Sequence, residues 1–454
     1  MIETIDPTTG TVLERIPRMD ERQIEAKLEA AASCAPRWAA TTLQERSALL
    51  DSIARRLRAE RDTLAATAVR EMGKPIAQAR AEVEKCAWGC EYFAKEGPAM
   101  LQSQAAPSSA ARSYVAFRPL GALLAIMPWN FPFWQVFRAV APALMAGNVL
   151  LLKHAANTTR CALEIERVLS DAGAPPGCFG VLLVTGEKAD DLVGDPRIAA
   201  VTLTGSERSG VAVARAAGEA LKKCVLELGG SDPFVVFADA DVEAAARTAV
   251  TARFQNNGES CIAAKRFIVE DPVYDEFLDR FGALAGAQIV GNPMEERVQI
   301  GPCARADLRD SVGEQVRETL ARGARLVTGG KPGAGPGFFY EPTVVADVVA
   351  GMRMFDEEVF GPAAAVVRAR DREHAVALAN QSIYGLGSSL WTRDVAAAEA
   401  FAAKIEAGAV FINGMVASDP RLPFGGVKKS GYGRELSTFG IHEFVNIQTV
   451  WIGS

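Results

Sequence analysis

Cys261 lies in Gln255-Asn-Asn-Gly-Glu-Ser-Cys261-Ile-Ala-Ala-Lys, a polar, glycine-containing turn between a helical and an extended stretch. Such a turn is expected to expose a thiol, unlike the apolar settings of Cys34 and Cys161. A free thiol titrates near pH ~8.5, so a nucleophilic cysteine needs help to become thiolate. The same residue also reads as a loop cysteine without a role, and its local context does not separate the two. Glu227, in Val225-Leu-Glu227-Leu-Gly-Gly, is a carboxylate between two leucines at a strand end. Burial there would raise its pKa and make it a general base near neutrality; the alternative is an ion-paired strand terminus. The histidines, at 154, 374 and 442, stand near no cysteine cluster, which leaves a glutamate as the best-placed base. Asn130 sits in Met127-Pro-Trp-Asn130-Phe-Pro132. Two prolines fix this turn, and a rigid amide can donate to a developing oxyanion, although a plain turn asparagine reads the same way.

Other residues could hold ligands rather than react. Lys153 ends the run Val149-Leu-Leu-Leu-Lys153, where an ammonium can meet a ribose or phosphate. Thr204-Gly205-Ser206 opens a helix whose N-terminus can receive a pyrophosphate. The G-x-G-x-x-G fingerprint is absent, so a dinucleotide would have to bind in an atypical way. Arg138 is the single charge in the helical stretch 133–145 and needs a partner. That partner is either a structural acid or a substrate carboxylate matched to the guanidinium.

The elements that must position these residues alternate. Apolar strands are expected at 122–127, 148–153, 181–184, 198–203 and 224–228, with helices at 133–145, 158–172 and 206–221. Continuous apolar strands alternating with helices imply a parallel sheet covered on both faces, an α/β fold whose ligands bind beyond the carboxyl ends of the strands. Residues 127–132, 153, 204–206 and 227–230 all fall at such ends. A second alternation follows, with helices at 241–256, 272–286, 371–380 and 395–405 and strands at 266–269, 324–328 and 363–367. Before the first strand, 21–101 carries helical periodicity and 114–119 is extended; at the other end 439–452 alternates like an edge strand.

Composition limits the partners. A net charge of −6 gives no electrostatic reason to bind nucleic acid or an anionic membrane surface. The first residues hold Glu3, Asp6, Glu14 and Arg15 without an apolar core, unlike a signal peptide. The apolar stretch 121–152 is cut by Pro128, Pro132, Pro142 and Gly147 into pieces too short for a bilayer. The cysteines contain no C-x-x-C pair, so no metal site is expected, and reduced thiols in the cytoplasm are.

Taken together, the segments resemble the aldehyde dehydrogenase superfamily over nearly the whole chain. MPWNFP (127–132), LLLK (150–153), TGS (204–206), LELGG (226–230), NNGESC (256–261), EEVFGP (357–362) and LPFGGVKKSGYGRE (422–435) occur in the family's order. The resemblance implies that Cys261 attacks an aldehyde and that Asn130 with the Cys261 amide stabilises the oxyanion. Hydride then passes to a nicotinamide, and Glu227 activates the water that hydrolyses the thioester. It assigns Lys153 and Glu358 to the ribose, Trp129, Gly205 and Ser206 to the cofactor cleft, and Phe360 to the nicotinamide ribose. It also implies an atypical Rossmann cofactor domain (1–103 and 121–226), a catalytic α/β domain (227–427) and a small β oligomerisation element (104–120 and 428–454). The expected edge strands point to a homodimer or homotetramer. NAD-preferring members often carry a glutamate where this chain has Ala156. Without that carboxylate a 2′-phosphate meets no like charge, so NADP is expected to be accepted beside NAD, with preference left open. Semialdehyde-oxidising members resemble the chain at Arg138, Ser260 and Ser418, and the expected substrate is succinate semialdehyde. Glutarate semialdehyde or a broad aldehyde range stays open, since one methylene discriminates by only about 1–3 kcal/mol. A non-catalytic protein of this fold and a cofactor-free thiol esterase are the readings from other classes.

Overall fold

The apolar run after Gly121 becomes the strand Ala122–Met127, and the covered faces its sequence demands come from helices on either side. In the computed structural model, which describes residues 1–453, it lies inside a six-stranded sheet. The order is Gly431–Tyr432, Lys223–Glu227, Ile198–Thr204, Ala122–Met127, Val149–His154 and Phe179–Val181. All neighbours are parallel except Gly431–Tyr432, which runs antiparallel to Lys223–Glu227. A second sheet has seven strands, Arg325–Thr328, Thr343–Ala346, Ala363–Ala369, Ala264–Glu270, Asp232–Val236, Gly387–Trp391 and Ala409–Ile412. It too is parallel except for its first pair. The fold is therefore the expected α/β class.

The helical N-terminal stretch resolves into Glu21–Ala39, Leu43–Ala59, Arg61–Met72 and Ile76–Met100. Capping boxes at Asp20 and Thr42 start the first two. Gly73, in the left-handed region at φ 80°, ends the third. The long helix Ile76–Met100 then lies against Trp134–Ala146, the helix that follows Asn130.

Several elements differ from expectation. The strand expected at 181–184 is Phe179–Val181, because its register is set by pairing with Leu150–Leu152. The expected edge strand at 439–452 is half helix: Ser437–Glu443 is helical, with Gly440 and Ile441 buried, and only Val445–Ile452 is extended. Alternation over so few residues fits either period once one side is buried. That strand pairs antiparallel with Arg112–Pro119 along its full length and leaves Ile447 and Trp451 more than half exposed. Asp232–Val236, Thr343–Ala346, Gly387–Trp391 and Ala409–Ile412 had no readable signal, being four or five residues each beside turn formers. The hairpin Ile2–Asp6 with Thr11–Ile16 was likewise not foreseen. Among the described residues no helix is long and apolar enough to cross a membrane.

Candidate active site

The helix Val242–Phe254 ends in three successive left-handed residues, Asn256 (φ 55°), Asn257 (φ 60°) and Gly258 (φ 73°). Asparagine and glycine tolerate that region, and the sharp bend brings Cys261 back before the strand Ala264–Glu270. Buried cations hold the bend. Arg253 donates to the carbonyls of Gly258 (2.9 Å), Ala264 (3.1 Å) and Val359 (3.1 Å), tying the loop to the 358–361 segment. Lys265 Nζ donates to the carbonyls of Ser260 and Cys261, both at 2.8 Å, and lies 3.3 Å from Glu358 Oε1. A side chain at Gly230 would bring its Cβ within 2.7 Å of the Cys261 carbonyl, so the approach needs glycine. The turn exposes Cys261 only in part. Cys261 is half-buried, and desolvation pushes it up to about 12, against the opposing pull of Arg138 and Lys265.

Asn130 is positioned by groups far away in sequence. Glu82, on Ile76–Met100, accepts from the backbone N–H of Phe133 (2.8 Å) and Trp134 (2.9 Å) with one oxygen and pairs with buried Lys74 through the other. It thereby caps a helix that has no capping side chain of its own. His154 Nδ1 accepts from the Ala155 N–H at 2.8 Å, so its Nε2 carries the proton and donates to the Pro132 carbonyl at 2.9 Å. Asn130 Nδ2 donates to the Glu259 carbonyl at 3.1 Å, which leaves its second amide proton free.

Two cavities meet at Cys261, and among the described residues only Cys261 and Gln135 line both. The first, of about 400 Å³, is a cleft walled by Trp129, Lys153, Gly205, Ser206, Glu358 and Phe360, with Asn130 at its inner end. Six of the seven residues expected at a cofactor are thus brought together. The seventh, Ala156, is exposed and off the wall; Ala155 lines the cleft instead, because Ala156 already starts the turn Ala156–Thr158. Lys153 makes no ion pair among the described residues, and burial lowers its proton affinity. Ser206 caps the helix Glu207–Glu219, and Glu358 Oε1 accepts from the Gly230 N–H at 3.0 Å. Arg305, 5.8 Å from the Trp129 ring, also lines this cleft and was not anticipated.

The second cavity, of about 330 Å³, brings together Arg138, Ser260 and Ser418. Arg138 realises the ion-pair alternative without leaving the cavity wall. It pairs with buried Glu435, donates to Thr204 Oγ1 at 3.2 Å and lies 4.5 Å from the Phe424 ring centre. Ser260 Oγ is buried with no hydrogen-bond partner among the described residues. Ser418 Oγ accepts from Trp134 Nε1 at 2.9 Å and from Lys85 Nζ at 2.7 Å. Lys85 and Glu82 were missed, since acids and lysines are ordinary on a helix and nothing nearby in sequence marks them.

Glu227 ends its strand buried, on the wall of neither cavity. Its carboxylate oxygens have no hydrogen-bond partner among the described residues. Desolvation, and then the neighbouring Glu435, push its pKa well above the usual carboxylate range, against Arg138 and Arg434. Its charge bears on the Cys261 thiol, whose proton affinity it raises.

Comparison with known proteins gives the family. Residues 1–450 match the model of the aldehyde dehydrogenase family. The chain is 51% identical over 448 residues to a succinate semialdehyde dehydrogenase (NAD(P)+) of Escherichia coli (strain K12), covering 99% of this chain and 97% of that protein. It is 48% identical over 457 residues to a succinate-semialdehyde dehydrogenase (NADP(+)) of Mycobacterium avium (strain 104), covering 100% and 97%. The crystal structure of a succinic semialdehyde dehydrogenase from Streptococcus pyogenes with NADP+ superposes with a TM-score of 0.98 at 36% identity, over 100% of both chains.

Proposed function

The chain belongs to the aldehyde dehydrogenase family, and we propose that it oxidises succinate semialdehyde to succinate with NADP or NAD. The observation that carries this reading is the position of Cys261 in the wall common to two cavities, one fitted for a dinucleotide and one for a short polar aldehyde.

The cleft fits a nicotinamide dinucleotide in its own chemistry. Lys153 makes no ion pair among the described residues, Ser206 stands at a helix N-terminus, and Glu358 offers acceptors to ribose hydroxyls. Gly229 leaves room that a Cβ would take from the Glu358 carboxylate. Trp129 and Phe360, edge to face at 5.7 Å, both line the cleft, and Phe360 would lie beside the nicotinamide ribose. When bound there, the cofactor supplies the hydride acceptor. Ala156, next to the cleft-lining Ala155, brings no carboxylate towards the cleft, which supports use of NADP.

The chain's own groups carry the remaining steps. The Cys261 thiol gives up its proton to solvent and its sulfur bonds to the aldehyde carbon, while the carbonyl electron pair moves to oxygen. The free Asn130 amide proton and the Cys261 backbone N–H donate to that oxyanion. Once the carbon is at the acyl level, the thioester on Cys261 is hydrolysed: Glu227 takes a proton from water, the water oxygen bonds to the carbon, and the C–S bond breaks. Arg138, Ser260 and Ser418 face the remainder of the substrate and favour a carboxylate there. The unpaired edge and exposed Ile447 and Trp451 of Val445–Ile452 favour a homodimer or homotetramer.

Steady-state rates on succinate semialdehyde, glutarate semialdehyde and butanal, each with NAD and with NADP, test the reading. The expected result is the highest kcat/KM on succinate semialdehyde, with NADP within tenfold of NAD or above it. A kcat/KM for butanal equal to that for succinate semialdehyde would refute the substrate assignment.

A further inference from the structure

Arg138 is an already neutralised cation, since Glu435 pairs with it in the interior. A carboxylate entering the second cavity must therefore find its counter-charge partly elsewhere. Lys85 lines that cavity and has no carboxylate within ion-pairing distance among the described residues. The acids nearest to it are committed to other cations, Glu82 to Lys74 and Asp419 to Arg421. Its ammonium lies 4.7 Å from the Trp134 ring centre, which orients it without neutralising it.

Ser418 adds a directional argument. A hydroxyl has two lone pairs and one proton. Trp134 Nε1 and Lys85 Nζ are both obligate donors, and their bonds at 2.9 and 2.7 Å fill the two lone pairs of Ser418 Oγ. The Ser418 proton must then point away from both, which makes the hydroxyl a donor whose direction is fixed before any ligand arrives. Lys85 keeps two further N–H bonds after serving Ser418. Burial, and then Arg138, lower its pKa to about 8.

We propose that Lys85, together with the Ser418 hydroxyl, binds the distal carboxylate of the substrate, and that this pair sets the preference for a semialdehyde over a neutral aldehyde. The inference rests on the semialdehyde reading above and names its charge-recognising group. Arg138 and Ser260 then line the passage between that carboxylate and Cys261.

The test is the ratio of kcat/KM for succinate semialdehyde to that for butanal, in wild type, Lys85→Met and Lys85→Arg. Loss of a charged hydrogen bond is expected to lower the ratio by about 10- to 100-fold in Lys85→Met. Lys85→Arg keeps the charge and should stay within about threefold of wild type. Lys85→Gln, which can still donate to Ser418 without a charge, gives the same reading as Lys85→Met should the methionine variant not accumulate. A wild-type ratio retained in Lys85→Met or Lys85→Gln would overturn the assignment and leave the semialdehyde reading standing. A wild-type enzyme with no preference between the two aldehydes would overturn both.

Discussion

Replacing Glu82 by glutamine isolates one buried charge beside the substrate cavity. In the wild type one Glu82 oxygen takes both helix-capping bonds, from Phe133 and Trp134, and the other faces the Lys74 ammonium. The amide of Glu82→Gln can keep both capping bonds through its carbonyl oxygen, but it must present NH₂ to Lys74, donor against donor. Both Lys74 and Glu82 are buried to within a few per cent of completely. Breaking such a pair from one side costs about 3–5 kcal/mol, because the remaining charge keeps its desolvation penalty without compensation. Removing both charges, as in Lys74→Met with Glu82→Gln, should cost far less than the sum of the two single changes. Urea unfolding followed by tryptophan fluorescence across the four-member cycle reads the coupling, expected at about 2 kcal/mol or more. Folded Glu82→Gln should keep kcat within a few fold, since Asn130 still rests on a capped helix; Glu82→Ala, which frees both N–H groups, should not. A coupling below about 0.5 kcal/mol, or a Glu82→Ala enzyme with wild-type kcat, would refute the reasoning.

Three further outcomes follow from the site. Glu227→Gln should form one reduced nicotinamide per site rapidly and then turn over about 10²- to 10⁴-fold more slowly; stopped-flow absorbance without a burst would place the base elsewhere. Ala156→Glu should lower kcat/KM for NADP about tenfold or more while sparing NAD, since the new carboxylate opposes only the 2′-phosphate; equal losses would deny that Ala156 borders it. Lys85 is charged below its value of about 8 and loses its proton as pH rises through it. Arg138, Glu82, Cys86 and Asp419 are the charged and titratable groups that act on it, and Arg138 favours the loss. The KM for succinate semialdehyde should therefore climb between pH 7 and 9.5 while that for butanal does not, and Lys85→Arg should flatten the climb.

The sequence was most informative where one short segment carries both the chemistry and its backbone support. Cys261 with Asn256-Asn257-Gly258, Asn130 between its prolines and Thr204-Gly205-Ser206 are such segments, because left-handed turns, rigid turns and helix starts each demand particular residue types. The parallel sheets were legible through continuous apolar runs, except where strands shrank to four or five residues beside turn formers. What escaped is assembled across long distances. Lys85 and Ser418 stand 333 positions apart, and nothing about either lysine or serine announces the other. Arg138 is instructive in a different way: the structural ion pair and the place on the cavity wall were weighed as alternatives, and the folded chain has both. Cys261 is more open than buried Cys34 and Cys161 yet only half-exposed, because Arg253 and Lys265 satisfy the carbonyls of its polar turn from within.

Among the described residues Cys261 and Gln135 alone are common to the two cavities, so together they form a partition with a room on each side. An inhibitor that fills only one room leaves the other open to its usual occupant. A compound that reached into both would have to pass the thiol itself, which makes that single atom the natural anchor for a molecule meant to close the enzyme entirely.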